Sequence, residues 1–353
     1  MALSLDLLNA QLADLRGPIQ NTFSRALYFD DALRARAQSW PGGSLIERLL
    51  AYRAPAVGRA IRTGDETMAM DRKDVIKKVR LDLSRVGISV AIPQRELDRA
   101  ANTKLTAIKF LQDYPALTTE KIRQNLEEFH LTGQVFSPDP VLDSTALDGF
   151  MCLNGQFVSS AGVTGTSNGV LDFIDPASQT DVVQDLAKSK AYGYYNQYKQ
   201  ISSWSADGED TWRAMYRTLQ AQGDNAEPDL IMVDDAQFAN YQRNKRDLIR
   251  LSVVQDPLDK AGASSLVETF YKAKVVAVPI SLDLTKFTGP AADGVAYWIN
   301  TRFWTKYVLR DFSWTPFTRM VANQDVVSSM AVAEYNYMCD RVRAQGCTSG
   351  GAI

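Results

Sequence analysis

The chain has 353 residues, 45% of them hydrophobic and 23% charged, with a formal net charge of −2. That length supports a large core and two lobes, and the near-balanced charge excludes a global positive field drawing the whole molecule to nucleic acid. The chain contains one histidine, His130, which excludes zinc sites with several His ligands, facial triads and His-rich relays.

Residues 1–40 read as a helical arm. Leu5, Leu8, Leu12 and Leu15 recur at helical spacing before Gly17-Pro18 stops the pattern. From Trp40-Pro41-Gly42-Gly43 the character changes, and residues 48–85 hold ten Lys/Arg against five acids. Val79, Leu81 and Leu83 alternate with polar residues, and Val86, Ile88, Val90 and Ile92 continue the period of two. This predicts a half-buried strand, or two strands with a bend near Gly87. With an exposed tip between Arg62 and Asp74, the stretch reads as a long two-stranded loop. Such a hairpin is marginal alone and needs a neighbour to cover its apolar face.

Leu105, Ile108 and Leu111 make a short helical stripe that ends at Tyr114-Pro115. A second helix starts at Thr118 and closes at Gly133, with Ile122, Leu126 and Phe129 on one face. Residues 136–180 read as loops with short strands. Its GVTGTSNG run (162–169) lacks the Gly-Lys-Ser/Thr ending of a phosphate loop and reads as a turn. Val183, Ala187, Ala191, Tyr194 and Tyr198 trace a helical face, and Trp212, Met215, Tyr216 and Leu219 trace another. PDLIMVDD (228–235) and AKVVAVPI (273–280) read as short buried strands, which predicts a small sheet flanked by helices. GVAYWIN, FWTKYVLRDF and VVSSMAVAEYNYM are strand-like, and CTSGGAI reads as a loose tail.

Candidate chemistry is sparse. Asp234-Asp235 at a strand end could hold magnesium, but one acid capping the next helix accounts for them. A Ser-His-Asp or Cys-His site would have to use His130, which reads as an ordinary surface or core-edge residue. Glu127 and Glu128 are adjacent on a helix, so they face different ways and cannot act as a catalytic pair. The basic 48–85 stretch could bind nucleic acid, yet Tyr52 is its sole aromatic residue, and docking onto an acidic neighbour fits it as well. Cys152, Cys339 and Cys347 form no C-x-x-C pair and no even framework, which fits synthesis in a reducing cytoplasm. The N-terminus, with Asp6 and Asp14, does not read as a signal peptide. No window approaches a membrane span of about 18 apolar residues.

The order of these features resembles the major capsid proteins of tailed phages, the Hong Kong 97 type of fold. IPQRELDRA after the loop, EKIRQNLEEFHLTG as a spine helix, PDLIMVDDAQFANYQ as an axial strand and helix, and NYMCDRVRAQGC near the end carry the likeness. The resemblance implies an α+β capsid fold with an N-terminal arm (1–40), an extended β-hairpin loop (41–92), a peripheral domain with a long spine helix (93–165 and 291–353), and an axial α/β domain (166–290). It implies a non-enzymatic, cofactor-free subunit that assembles with itself into hexamers and pentamers of an icosahedral head. Scaffolding, portal and decoration proteins would be further partners, with weak nonspecific contact to packaged DNA and no membrane. The protein would reside in the virion capsid, assembled in the bacterial host cytoplasm.

Inter-subunit contact would come from the loop cations Arg59, Arg62, Arg72, Lys73, Lys77, Lys78, Arg80 and Arg85, meeting the spine-helix acids Glu120, Glu127 and Glu128. Lys73, Lys77 and Lys78 lie where some relatives crosslink, but no partner Asn or catalysing acid is identifiable, and no crosslink is expected. The alternatives are an encapsulin-like shell, which shares the fold, or a metal-dependent α/β enzyme using Asp234 and Asp235.

Overall fold

The computed structural model describes residues 27–40, 42, 45–51, 76–93, 95, 118–124, 126–127, 130–131, 152–154, 169–171, 182–183, 186–187, 194–223, 226–245, 268–278, 294–316, 318–319 and 326–352. The expected leucine stripe at residues 5–15, the loop tip, the short helix near 105–111 and residues 162–168 of the expected turn lie outside these residues.

In chain order, helix α1 (Tyr28–Arg34) leads to strand β1 (Ala37–Ser39), followed by β2 (Leu45–Ala51), β3 (Ile76–Asp82) and β4 (Ser84–Pro93). Helical residues at 118–124, 126–127 and 130–131 form α2. Short strands β5 (Cys152–Asn154), β6 (Gly169–Leu171), β7 (Val182–Val183) and β8 (Leu186–Ala187) precede β9 (Gln197–Ser203). A π-helical turn (Trp204–Gly208) then runs into α3 (Glu209–Gln220). Next come β10 (Leu230–Asp234), α4 (Asp235–Lys245), β11 (Glu268–Phe270), β12 (Ala273–Val278), β13 (Val295–Ile299), β14 (Trp304–Trp314), β15 (Thr318–Arg319), β16 (Val326–Cys339) and β17 (Gly346–Ala352).

Two sheets organise the described chain. The first is built on β16, the longest strand. It pairs antiparallel with β14 and β15, and with β4 from Val326↔Pro93 to Tyr335↔Ser84, while β1 adds parallel to β14. The second has the order β11-β12-β10-β13-β17-β9. Its central strands β10 and β13 are buried along their whole length because both faces are covered, and they are apolar except for Asp234 at the end of β10. Leu230, Met232, Tyr297 and Ile299 pack into a core shared with the first sheet. Ile231, Val233, Ala296 and Trp298 pack against α3 residues Trp212, Met215 and Leu219. There Trp212 stacks on Tyr241 at 4.7 Å and meets the edge of Trp298 at 5.1 Å.

Several expectations need correction. The expected helical face over Val183, Ala187, Ala191, Tyr194 and Tyr198 is not found where the structure describes it: β7 and β8 form a small antiparallel pair, Tyr198 lies in β9, paired in parallel with Cys347, and Ala191 lies outside the described residues. The aromatic and β-branched side chains there suit a sheet, and the partner strand comes from the far end of the chain. The break between loop strand and sheet strand falls at Leu83, not Gly87, which sits within β4 opposite Val332. The CTSGGAI stretch is not a loose tail. Its residues 347–352 fall in β17, held between β13 and β9. Its small residues are what the crowded site admits. A Cβ on Gly346 would lie 3.0 Å from the Met215 methyl, and one on Gly350, at φ +87°, would lie 2.6 Å from the Ile201 carbonyl. The sequence division at residue 291 therefore cuts the second sheet, which takes β13 and β17 from beyond it.

Gly350→Ala combines left-handed strain with a backbone clash and is expected to cost about 1–3 kcal/mol. Gly87→Ala, whose nearest atoms are 3.9 Å away, is expected to be near neutral. Urea midpoints of the two variants read the difference.

Candidate assembly surface and its buried anchors

The extended ladder is real and fully in register, from Leu45↔Asp82 to Ala51↔Ile76. Residues directly opposite in an antiparallel pair share a face, and the faces alternate. Arg48 and Val79 face the body: Val79 is buried, and the Arg48 guanidinium donates to the Asp340 carboxylate and the Tyr307 hydroxyl while lying over the Tyr307 ring at 5.4 Å. The opposite face presents Leu49 and Ile76, 72% and 60% exposed, with exposed Lys78 directly across from Leu49. Burying both side chains fully would be worth about 1.5–3 kcal/mol each. This pairing of apolar and cationic groups suits a protein surface carrying apolar and acidic groups.

The predicted loop cations separate. Lys77 and Lys78 are exposed on β3. Arg80 is on β3 opposite Glu47. Arg85 sits on β4 directly opposite Glu334 and pairs with it at 3.3 Å, an exposed contact within its own chain worth about 0–1 kcal/mol. Arg59, Arg62, Arg72 and Lys73 lie outside the described residues.

The spine-helix acids also separate. Glu120 is half-buried on α2, and Glu128 lies outside the described residues. Glu127 does not face solvent: it is 2% exposed and accepts hydrogen bonds from the backbone N–H of Phe29 at 2.5 Å and of Asp30 at 3.1 Å. It thus satisfies amide groups at the start of α1 that the helix leaves without internal partners, from 98 residues away. Beside it, the Lys306 ammonium and Tyr337 hydroxyl donate to Asp30. His130 is buried as well, its ring edge-on to Tyr337 at 4.6 Å and its Nε2 3.3 Å from the Tyr335 hydroxyl. The surface or core-edge expectation for His130 is corrected, because α2 lies over the tyrosines of β16.

These groups line a cleft of about 430 Å³ between α1, α2, β14 and β16, with Asp31, Arg34, Arg123 and Asp311 at its margins. Burial pushes Glu127 up to about 8, reinforced by the Asp30 and Asp31 carboxylates and opposed by the two backbone N–H groups. Burial acts to raise Asp30 too, but Lys306 and the Tyr337 hydrogen bond outweigh it and hold that carboxyl below its usual range.

Asp234 is buried at the end of β10, and exposed Asp235 begins α4. Among the described residues, no group of three or more His, Cys, Asp or Glu side chains could hold a metal ion. No described helix is long and apolar enough to cross a membrane. Sequence reading missed the Arg48–Asp340–Tyr307 and Asp30–Lys306–Tyr337 contacts, whose members are separated by 259 to 307 residues. Nothing local in the sequence marks such pairs.

No family model matches the sequence, and no curated protein matches it. Solved structures do. A chain in the capsid asymmetric unit of cyanophage A-1(L) superposes with a TM-score of 0.63 at 13% identity, covering 95% of this chain and 96% of that one. The capsid of Myoviridae phage XM1 gives 0.53 at 11% identity, covering 95% of each chain. The capsid of an empty GTA particle gives 0.52 at 14%, covering 96% of each. At these identities the likeness is one of fold: the chain has the phage-capsid fold over nearly its whole length.

Two outcomes follow. Glu127 has a raised folded-state pKa, so its contribution is full below its ordinary 4.5 and lost as pH rises through about 8. Asp30, with a lowered pKa, contributes above 3.8 and loses its contribution below that range. Urea stability should therefore fall by on the order of a few kcal/mol across the Glu127 window, and Glu127→Gln should flatten that slope. Separately, Arg48→Met should leave the core folded while speeding hydrogen exchange in β2 and β3 by at least about tenfold, the equivalent of about 1.4 kcal/mol of lost anchoring.

Proposed function

We propose that this chain is the major capsid protein of a tailed bacteriophage, assembling with itself into hexamers and pentamers of an icosahedral head that encloses double-stranded DNA. The observation that carries the reading is end-to-end agreement in fold with chains of phage capsids, 95% of this chain against 96% of the cyanophage A-1(L) chain. Agreement over nearly the whole of both chains supports the same kind of packing.

The mechanism is assembly rather than catalysis. The ladder face carrying Leu49, Ile76 and Lys78 lies over an adjacent subunit, where the apolar side chains are buried and the Lys78 ammonium meets acids. Glu120 and Glu128 are the spine-helix acids left for that surface, since Glu127 is engaged within its own chain. Ion pairs of this exposed kind add only about 0–1 kcal/mol each, so closure comes from apolar area repeated over many subunits. The axial part consists of the six-stranded sheet with α3 and α4, including β13 and β17, and its loops cluster around the five-fold and six-fold axes. Scaffolding, portal and decoration proteins complete the head, and assembly takes place in the bacterial host cytoplasm.

Negative-stain microscopy of purified protein should reveal closed shells or sheets of hexamers. Leu49→Asp combined with Ile76→Asp should keep the wild-type melting temperature within a few degrees, because both side chains are exposed in the subunit, yet abolish particles. A wild-type monomer or dimer that resists assembly with its native scaffolding partner would sink the reading.

A further inference from the structure

The chain passes between the two sheets twice, through 3₁₀ turns at Thr301–Phe303 and Val342–Ala344. Arginines gather at both crossings. Arg36, just after α1, donates to the Arg302 carbonyl at 3.1 Å. The Arg341 guanidinium lies over the Phe303 ring at 4.7 Å, and Arg343, on the same turn, lies over Tyr195 at 5.7 Å. Arg302, Arg341 and Arg343 are exposed, and Arg36 is half-buried.

Among the described residues, none of the four makes an ion pair with a carboxylate, and the neighbouring acids already have partners. Asp340 is held by Arg48, Asp229 receives hydrogen bonds from Thr301, and Glu227, whose field reaches Arg302, is paired with Lys272 at 3.0 Å. Stacking on an aromatic face fixes a guanidinium plane while leaving its N–H edge free for an oxyanion. The result is three exposed guanidinium groups, two of them pre-oriented, beside the half-buried Arg36, with the local acids in use elsewhere.

We propose that this arginine cluster is a nucleic-acid contact that takes the phosphate backbone of double-stranded DNA without reading its sequence. The choice of double-stranded DNA rests on the shell reading above. The choice of nucleic acid over an acidic protein rests on the patch itself. Among the described residues, the exposed large apolar side chains are Leu49, Ile76, Tyr271, Leu309 and Met330, and none belongs to the cluster. Protein interfaces have an apolar centre, whereas DNA interfaces are polar and strongly positive. Guanidinium groups also match phosphate oxygens in bidentate geometry.

The test uses the full chain before assembly and a fluorescently labelled random-sequence duplex, with anisotropy measured across a salt series. The triple variant Arg302→Gln, Arg341→Gln, Arg343→Gln is expected to lower the salt slope by roughly 0.9 per arginine and to weaken low-salt binding at least about tenfold. The corresponding triple lysine variant keeps the charges and is expected to keep the slope. An unchanged slope in the glutamine variant overturns the proposal, and so does an equal loss in the lysine variant, which would assign the effect to the fold. Displacement of the duplex by polyglutamate at matched charge would assign the patch to an acidic protein and also overturn it. Microscopy separates the two readings. Wild-type shells with no DNA binding refute this contact alone, while charge-dependent DNA binding without shells supports the contact and refutes the shell reading.

Discussion

The structure depends on β16 being satisfied along its length. A long strand with buried backbone on both sides must find hydrogen-bond partners for both of its edges. One edge takes β4 from Val326 to Tyr335, and the other takes β15 and then β14 as far as Cys339. The partners come from separate parts of the chain: β4 lies before α2, while β14 follows β13 of the second sheet. Because β4 follows β3 with only Leu83 between them, the extended ladder is covalently continuous with β4 and, through the pairing of β4, is held against β16. The same strand ends at Cys339 and leads through a 3₁₀ turn into β17, so the pairing of β16 also positions the second sheet.

Charged groups are wholly or partly buried where elements meet, and Glu127, Asp30 and Arg48 have partners there. Glu127 joins α2 to the start of α1, Asp30 joins α1 to Lys306 on β14 and Tyr337 on β16, and Arg48 joins β2 to Asp340 and Tyr307. Burying such groups without partners would cost several kcal/mol each, so the docked geometry of arm, helix and ladder is selected over nearby alternatives that would leave them unpaired. The apolar side chains supply most of the driving force, as in the Phe29, Trp304 and Tyr337 cluster with contacts at 5.1–5.4 Å. The polar contacts specify which surfaces meet.

The ladder stands in contrast to this buried framework. One face is anchored by Val79 and Arg48, while the other leaves Leu49 and Ile76 in water. A two-stranded ribbon with one uncovered apolar face is marginal by itself, which agrees with the proposed covering by a neighbouring subunit. The same physics that makes the ribbon weak in one subunit makes it useful when a second surface covers it.

The sequence by itself determined the elements whose signal is local. The period of two in β4, the continuous apolar runs of β10 and β13, the aromatic and β-branched richness of β14 and β16, and the stripe of Trp212, Met215, Tyr216 and Leu219 on α3 each record which faces are buried. The order of those elements carried the likeness to phage capsid proteins, and the fold bears it out. Tertiary structure alone decided what depends on distant partners. Tyr198 reads as helical until Cys347 is beside it, and residues 347–352 read as a tail until β13 and β9 close around them. Glu127 reads as a surface acid until the amides of Phe29 and Asp30 meet it. In each case the residue type is set by a neighbour far away in the chain, and a local pattern holds no record of that neighbour.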